Sequence, residues 1–159
     1  MSLVYVDKDP GDLKNEVTVI SCVEGDIINL NSDYVYKYPG DIKNEFSEFM
    51  YQAMTYIWQW DGNGTAPAWW KGGVPAYMRI AAGYAPSSWA HLGTGDSWKE
   101  GFDVTGRFIE YLDAVTPDFV AKMNAKIEWS WDIGYFKDIT GKSVHELWKD
   151  YKARFRNGS

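Results

Sequence analysis

The chain has 159 residues, a formal charge of −6 at pH 7 and 27 aromatic rings. That length suits one compact domain spanning 1–159, and the ordinary balance of 45% hydrophobic to 24% charged residues excludes a disordered chain. The acidic balance, with no run of Lys or Arg, excludes nucleic acid as a partner, because phosphate binding needs a basic surface.

No apolar run approaches the roughly 18 residues that span a bilayer, so no membrane partner is expected. Met1–Val6 is too short and uncharged for a signal peptide, so a soluble chain is expected and its localisation stays open. Cys22 is the one cysteine, which leaves no internal disulfide and no thiolate metal cage; among Val17, Val19, Ile20 and Val23 it reads as a buried strand residue. Each of the rings carries about 200 Å² of side chain, so most must pack inside or line a concavity.

Residues 1–40 read as strands and turns. Val17–Val23 is rich in β-branched residues, Gly25-Asp26 breaks it, and Ile27–Asn31 resumes an extended pattern, giving a small mixed sheet. Pro10-Gly11 and Pro39-Gly40 punctuate the region. From Asp41 to about Trp60, Ile42, Phe46, Phe49, Ala53, Tyr56 and Trp60 recur at helical spacing, with Asp41 as the N-cap. Asp61-Gly62-Asn63-Gly64 ends this helix.

Asn63-Gly64-Thr65 and Asn157-Gly158-Ser159 match the acceptor pattern for N-glycosylation, which matters only in a secreted chain. Pro67, Gly72, Gly73 and Pro75 predict a broken approach to a short helix from about Pro75. Lys99–Val115 reads as a helix, and Thr116-Pro117 opens another through about Glu128. The last begins at Ser143, whose hydroxyl forms a capping box with Glu146. Strands first and helices from 41 to 155 make an α+β chain. Trp58, Trp60, Trp129, Trp131 and Trp148 are expected in the core, Trp98 in the scaffold, and Asp96, Asp103 and Arg107 in a hydrogen-bond or ion-pair network.

The runs Met54–Pro67, Ala82–Ser87, Gly95–Trp98 and Gly101–Phe108, closing on Leu147–Lys152, resemble the basic secretory protein family of plants and bacteria over residues 15–155. The resemblance implies a zincin-like fold, secretion, and a zinc peptidase whose helix bears His-Glu-x-x-His: two imidazoles hold the metal and the glutamate acts as general base. Aligned on Trp58-Gln59-Trp60, those positions hold Gln52, Ala53 and Tyr56. The family's downstream Glu-Gly-x-Ala-Asp-Tyr falls on Gly72–Tyr77, so its two carboxylates are replaced by Gly72 and Ala76. The two histidines, His91 and His145, are far apart in sequence. No metal site, catalytic residue or cofactor is therefore expected.

Gln52 and Tyr56, one helical turn apart, offer an amide and a hydroxyl where the ion would sit. Ala53, Gly72 and Ala76 are smaller than the residues the resemblance implies there, Trp69 and Trp70 put indoles where the family usually shows small or aliphatic residues, and Phe102 stands where a tyrosine is usual. With Tyr77 and Tyr84 as further hydroxyls, this is the composition of a small-molecule site. Five substitutions meeting at one place read as a redesigned, engineered pocket for a rigid, largely apolar organic ligand such as a steroid. Two alternatives stay open: a natural pseudopeptidase that binds peptide or glycan, and a designed enzyme using a carboxylate such as Asp103 or Glu100.

Overall fold

The computed structural model describes residues 2–6, 21–24, 27–31, 36, 37 and 39–155. The chain divides into two compact units, Met1–Trp58 and Gln59–Ser159. In the first, β1 (Ser2–Val6) pairs parallel with β3 (Ile27–Asn31), and β2 (Ser21–Glu24) pairs antiparallel with β3, Cys22 opposite Asn29. Helix α1 (Ile42–Trp58) follows. Asp41 caps it: its Oδ1 accepts the N–H groups of Lys43 at 3.1 Å and Asn44 at 3.2 Å. Ala53 of α1 is buried with Ile28 of β3, and Phe49, Met50 and Ile57 pack around them. Val17–Ile20, Pro10-Gly11 and Asn157 lie outside the described residues.

The second unit holds α2 (Ala68–Ala81), α3 (Phe102–Val115), α4 (Phe119–Lys126), α5 (Tyr135–Thr140) and α6 (Val144–Phe155). The described chain is thus mostly helical, which corrects the expected α+β class. Its strands are three segments of four or five residues. The physical reason is where the apolar surface lies. The main core draws on residues between Ala66 and Tyr151, carried by helices and the loops joining them.

Rings dominate that core. Trp70 packs against Trp131 at 5.4 Å, Phe136 at 6.0 Å and Phe119 at 6.4 Å between centroids. A second group joins α3 to α6, with Phe108 5.1 Å from Trp148 and 5.5 Å from Tyr151. Offset and edge-on pairs of this kind add about 0.5–1.5 kcal/mol each beyond burial.

Helices α2 and α3 touch almost backbone to backbone. A Cβ on Gly73 would lie 2.8 Å from Thr105 Cβ, and one on Gly106 would lie 3.0 Å from Ala76 Cβ. Thr105, fully buried at the crossing, shares its hydroxyl proton between the carbonyls of Trp98 at 2.6 Å and Gly101 at 2.8 Å.

Several boundaries differ from those expected. Helix α2 begins at Ala68 and runs through Pro75, which lies buried inside it. Proline removes one helical N–H, and the packing of Trp70, Val74 and Ala76 outweighs that loss. Thr116 is the C-cap of α3, donating its N–H to Leu112 O, while left-handed Asp118 (φ 62°) takes the N-cap position of α4. Pro117 therefore sits in the connecting turn, and α4 starts where Phe119 enters the ring cluster. The short helix α5 had no sequence signal of its own. The capping box of α6 forms as expected: Ser143 N–H and Oγ reach Glu146 Oε2 at 2.8 and 2.7 Å.

Three tryptophans expected in the core are exposed, Trp58 by 70%, Trp129 by 73% and Trp60 by half. Trp148 is buried, and Trp131 packs against the core. Helical or turn spacing placed five rings inside; the two that are inside meet rings of other elements, Trp131 on Trp70 and Phe136 and Trp148 on Phe108. The crossing yields a prediction: Gly73→Ala, which overfills the contact with Thr105, lowers the free energy of unfolding by about 1–3 kcal/mol in denaturant titration.

Candidate functional site

The residues singled out from the sequence fall into both units. Gln52, Ala53 and Tyr56 lie on α1 of the first, with Ala53 buried, Gln52 half-buried and Tyr56 exposed. An amide, a methyl group and a phenol are a poor donor set for zinc, which takes imidazole, thiolate or carboxylate ligands. The residues present do not fit that metal. Among the described residues, no group of three or more His, Cys, Asp or Glu could hold a metal ion. Both histidines are exposed, and His145 meets Trp98 edge-on at 4.8 Å.

Trp69, Trp70, Gly72, Ala76, Tyr77, Tyr84 and Phe102 belong to the second unit. Trp70 and Ala76 are core residues, the one inside the ring cluster and the other at the α2–α3 crossing. Trp69 is partly buried, 5.5 Å from Trp131 and edge-on to it. Tyr77 donates its hydroxyl proton to Asp113 Oδ2 at 2.8 Å, and Asp113 Oδ1 accepts Val120 N–H at 3.3 Å. One carboxylate thus ties α2, α3 and α4 together. Burial, followed by that hydrogen bond and the negative charge of Asp113, pushes the Tyr77 phenol well above the ordinary tyrosine range.

Gly72 and Phe102 stand side by side: a Cβ on Gly72 would meet Phe102 Cβ at 3.5 Å. Phe102, 53% exposed, lies edge-on to Trp89 at 5.2 Å, and the Arg79 guanidinium covers the Trp89 ring at 4.6 Å. Arg79 also reaches the carbonyl of half-buried Tyr84 at 3.5 Å. These residues form an aromatic surface at the start of α3. Trp89 and Arg79 were not singled out from the sequence, since a tryptophan in a Pro-Ser-Ser loop and an arginine late in a helix carry no local signal of meeting.

The loop before α3 is held by backbone contacts. Asp103 Oδ2 accepts Ala90 N–H at 3.0 Å, and Arg107 Nε donates to Ala90 O at 2.9 Å. The two residues, one turn apart, thus hold the N–H and the C=O of one residue, Ala90. Arg107 pairs with Glu110 at 3.0 Å, and the N–H of Asp96 goes to Glu100. The expected network exists with other members: Asp103 and Arg107 meet at Ala90, while Asp96 has its contact with Glu100. Trp98 is buried, as a scaffold residue would be.

Residues 13–151 match the family described as BSP, peptidase of plants and bacteria, and the chain belongs to that family. It is 33% identical over 58 residues to a "Basic secretory protease" of Boswellia serrata. The match covers 36% of this chain and 66% of that relative, so the chain spans just under two-thirds of the curated protein's length. No solved structure matches. Among the described residues, no helix is long and apolar enough to cross a membrane.

The Tyr77–Asp113 contact gives a prediction with a definite sign. An unfolded tyrosine ionises near pH 10, whereas folded Tyr77 keeps its proton above that. Its contribution is therefore complete below about pH 10 and is lost as pH rises toward the folded value. Tyr77→Phe lowers stability at pH 7 by about 1.5–3 kcal/mol, the range for a hydrogen bond to a charged acceptor, with the part-buried setting of this bond favouring the lower end. Parallel thermal melts at pH 8 and pH 11 show the gap between the two proteins narrowing at the higher pH.

Proposed function

We propose that this chain keeps the scaffold of its peptidase family but works by binding an organic molecule instead of hydrolysing peptides. The observation that carries the reading is the set Gln52, Ala53 and Tyr56 at the His-Glu-x-x-His positions, with Gly72 and Ala76 at the downstream acidic ones. Hydrolysis by the family's route needs a carboxylate to take a proton from water and imidazoles to hold the ion. A methyl group takes no proton, and an amide and a neutral phenol replace the imidazoles.

The ligand suited to this residue set is ring-bearing and largely apolar, a steroid being one candidate. In the second unit, Phe102 and Trp89 offer ring faces and Gly72 leaves the flank of Phe102 uncovered by a side chain. In the first unit, taken by itself, Gln52 and Tyr56 lie one turn apart on α1 and carry polar groups suited to a hydroxyl or carbonyl. Trp70, Ala76 and the Tyr77 hydroxyl are engaged within the fold, so Phe102, Trp89 and Gly72 are the better contacts in the second unit. The reading is the same whether the substitutions arose by selection or by engineering. By its similarity to a relative named as secretory, the chain is further proposed to be exported.

The test pairs metal analysis with a thermal-shift screen of steroids, other polycycles and short peptides. The purified protein is expected to retain no stoichiometric zinc and to cleave no peptide substrate. A polycyclic ligand at a hundred times its Kd raises the Tm by on the order of 5–10 °C. Tyr56→Phe then weakens binding by about 1 kcal/mol, roughly fivefold in Kd. Bound zinc together with chelator-sensitive peptide cleavage overturns the reading.

A further inference from the structure

The segment Asp61–Thr65 is a built loop with one side chain left over. Gly62, Asn63 and Gly64 all take left-handed backbone, with φ of 63°, 57° and 80°. Asp61 Oδ1 accepts Gly64 N–H at 3.0 Å, and Thr65 Oγ1 donates to Gly62 O at 2.6 Å while accepting Trp131 N–H at 2.8 Å. A Cβ on Gly62 would lie 2.8 Å from Trp131 N and 3.0 Å from Ser130 C, so the loop is seated on the backbone of 130–131. Asp61, Gly62 and Thr65 are each accounted for by these contacts. Asn63 is exposed, and a Cβ added to its neighbour Gly64 would meet nothing within 4 Å.

We propose that Asn63 carries an N-linked glycan. Asn63-Gly64-Thr65 has the required acceptor pattern without proline at its centre. The folded loop leaves room for a bulky group at that position. Two exposed indoles belong to the segments that meet at this loop: Trp60, half exposed and three residues before Asn63, and Trp129, 73% exposed and next in sequence to Ser130, whose backbone Gly62 rests against. The apolar C–H face of a pyranose stacks on such a ring, so the glycan gives these exposed tryptophans a cover that the protein itself does not supply.

The donor is a lipid-linked oligosaccharide diphosphate. Asn63 Nδ2 attacks the anomeric carbon, a C–N bond forms, the C–O bond to the diphosphate breaks, the lipid diphosphate leaves, and the transferase takes the amide proton. In the folded loop the Thr65 hydroxyl is already engaged on both sides, so transfer precedes docking of the loop on 130–131. The site depends on passage through a secretory compartment, and the experiment supplies that passage independently of the export proposed above.

The full chain is translated behind a heterologous cleavable leader with endoplasmic-reticulum microsomes, alongside a control protein with a known acceptor. Peptide mapping after glycosidase treatment in heavy-oxygen water is expected to find Asn63 converted to labelled aspartate, with one glycan-sized mass step lost in Asn63→Gly. Glycine takes the same left-handed backbone, so this variant keeps the loop. Acrylamide quenching of tryptophan fluorescence is expected to rise when the folded glycoprotein is deglycosylated. Unmodified Asn63 beside a modified control overturns the proposal, as does a mass step that persists in Asn63→Gly and maps to Asn157.

Discussion

Gly73 and Gly106 let α2 and α3 approach until Thr105 and Ala76 fill the space between the two backbones. Much else in the second unit follows from that contact. It fixes the rotation of α2, and with it the direction in which Trp70 enters the ring cluster and Tyr77 reaches Asp113. The same contact aligns Gly72 with Phe102. Tolerance of Pro75 inside α2 has the same origin: the helix is held by what it packs against, and one missing N–H is a small loss beside several buried side chains.

The motifs that carry the family likeness hold the fold together. Asp61, Gly62 and Thr65 seat a loop on Trp131; Asp103 and Arg107 grip Ala90; Thr105 ties Trp98 to Gly101. None of these contacts requires a metal or a proton transfer. They support the fold of a chain that belongs to the peptidase family, and none of them involves residues 52, 53, 56, 72 or 76. A fold and a reaction are carried by different residues in general.

Aromatic content was the most conspicuous feature of the composition, and the structure divides it. One share makes the core around Trp70 and between α3 and α6, where edge-on and tilted contacts lock the helices. Another share is exposed, at Phe102 and at Trp60 and Trp129. Exposed rings of this size stay near water unless something covers them, so the surface of the second unit is apolar at these places.

Signals confined to a few consecutive residues were legible in the sequence. The Asp41 cap, the Ser143–Glu146 box and the turn after Trp60 need only local hydrogen bonds, and each has them. The side chains carried at positions 52, 53, 56, 72 and 76 were equally plain, because residue identity does not depend on folding. What tertiary structure decided was which face of each element finds a partner. It carried α2 through Pro75, placed Asp118 instead of Thr116 at the start of α4, moved the weight of the chain from sheet to helix, and sent Trp70 inward and Trp129 outward. The physical reason is that burial depends on distant residues: periodicity marks an apolar stripe, but the neighbour that covers it is named only when the chain has folded.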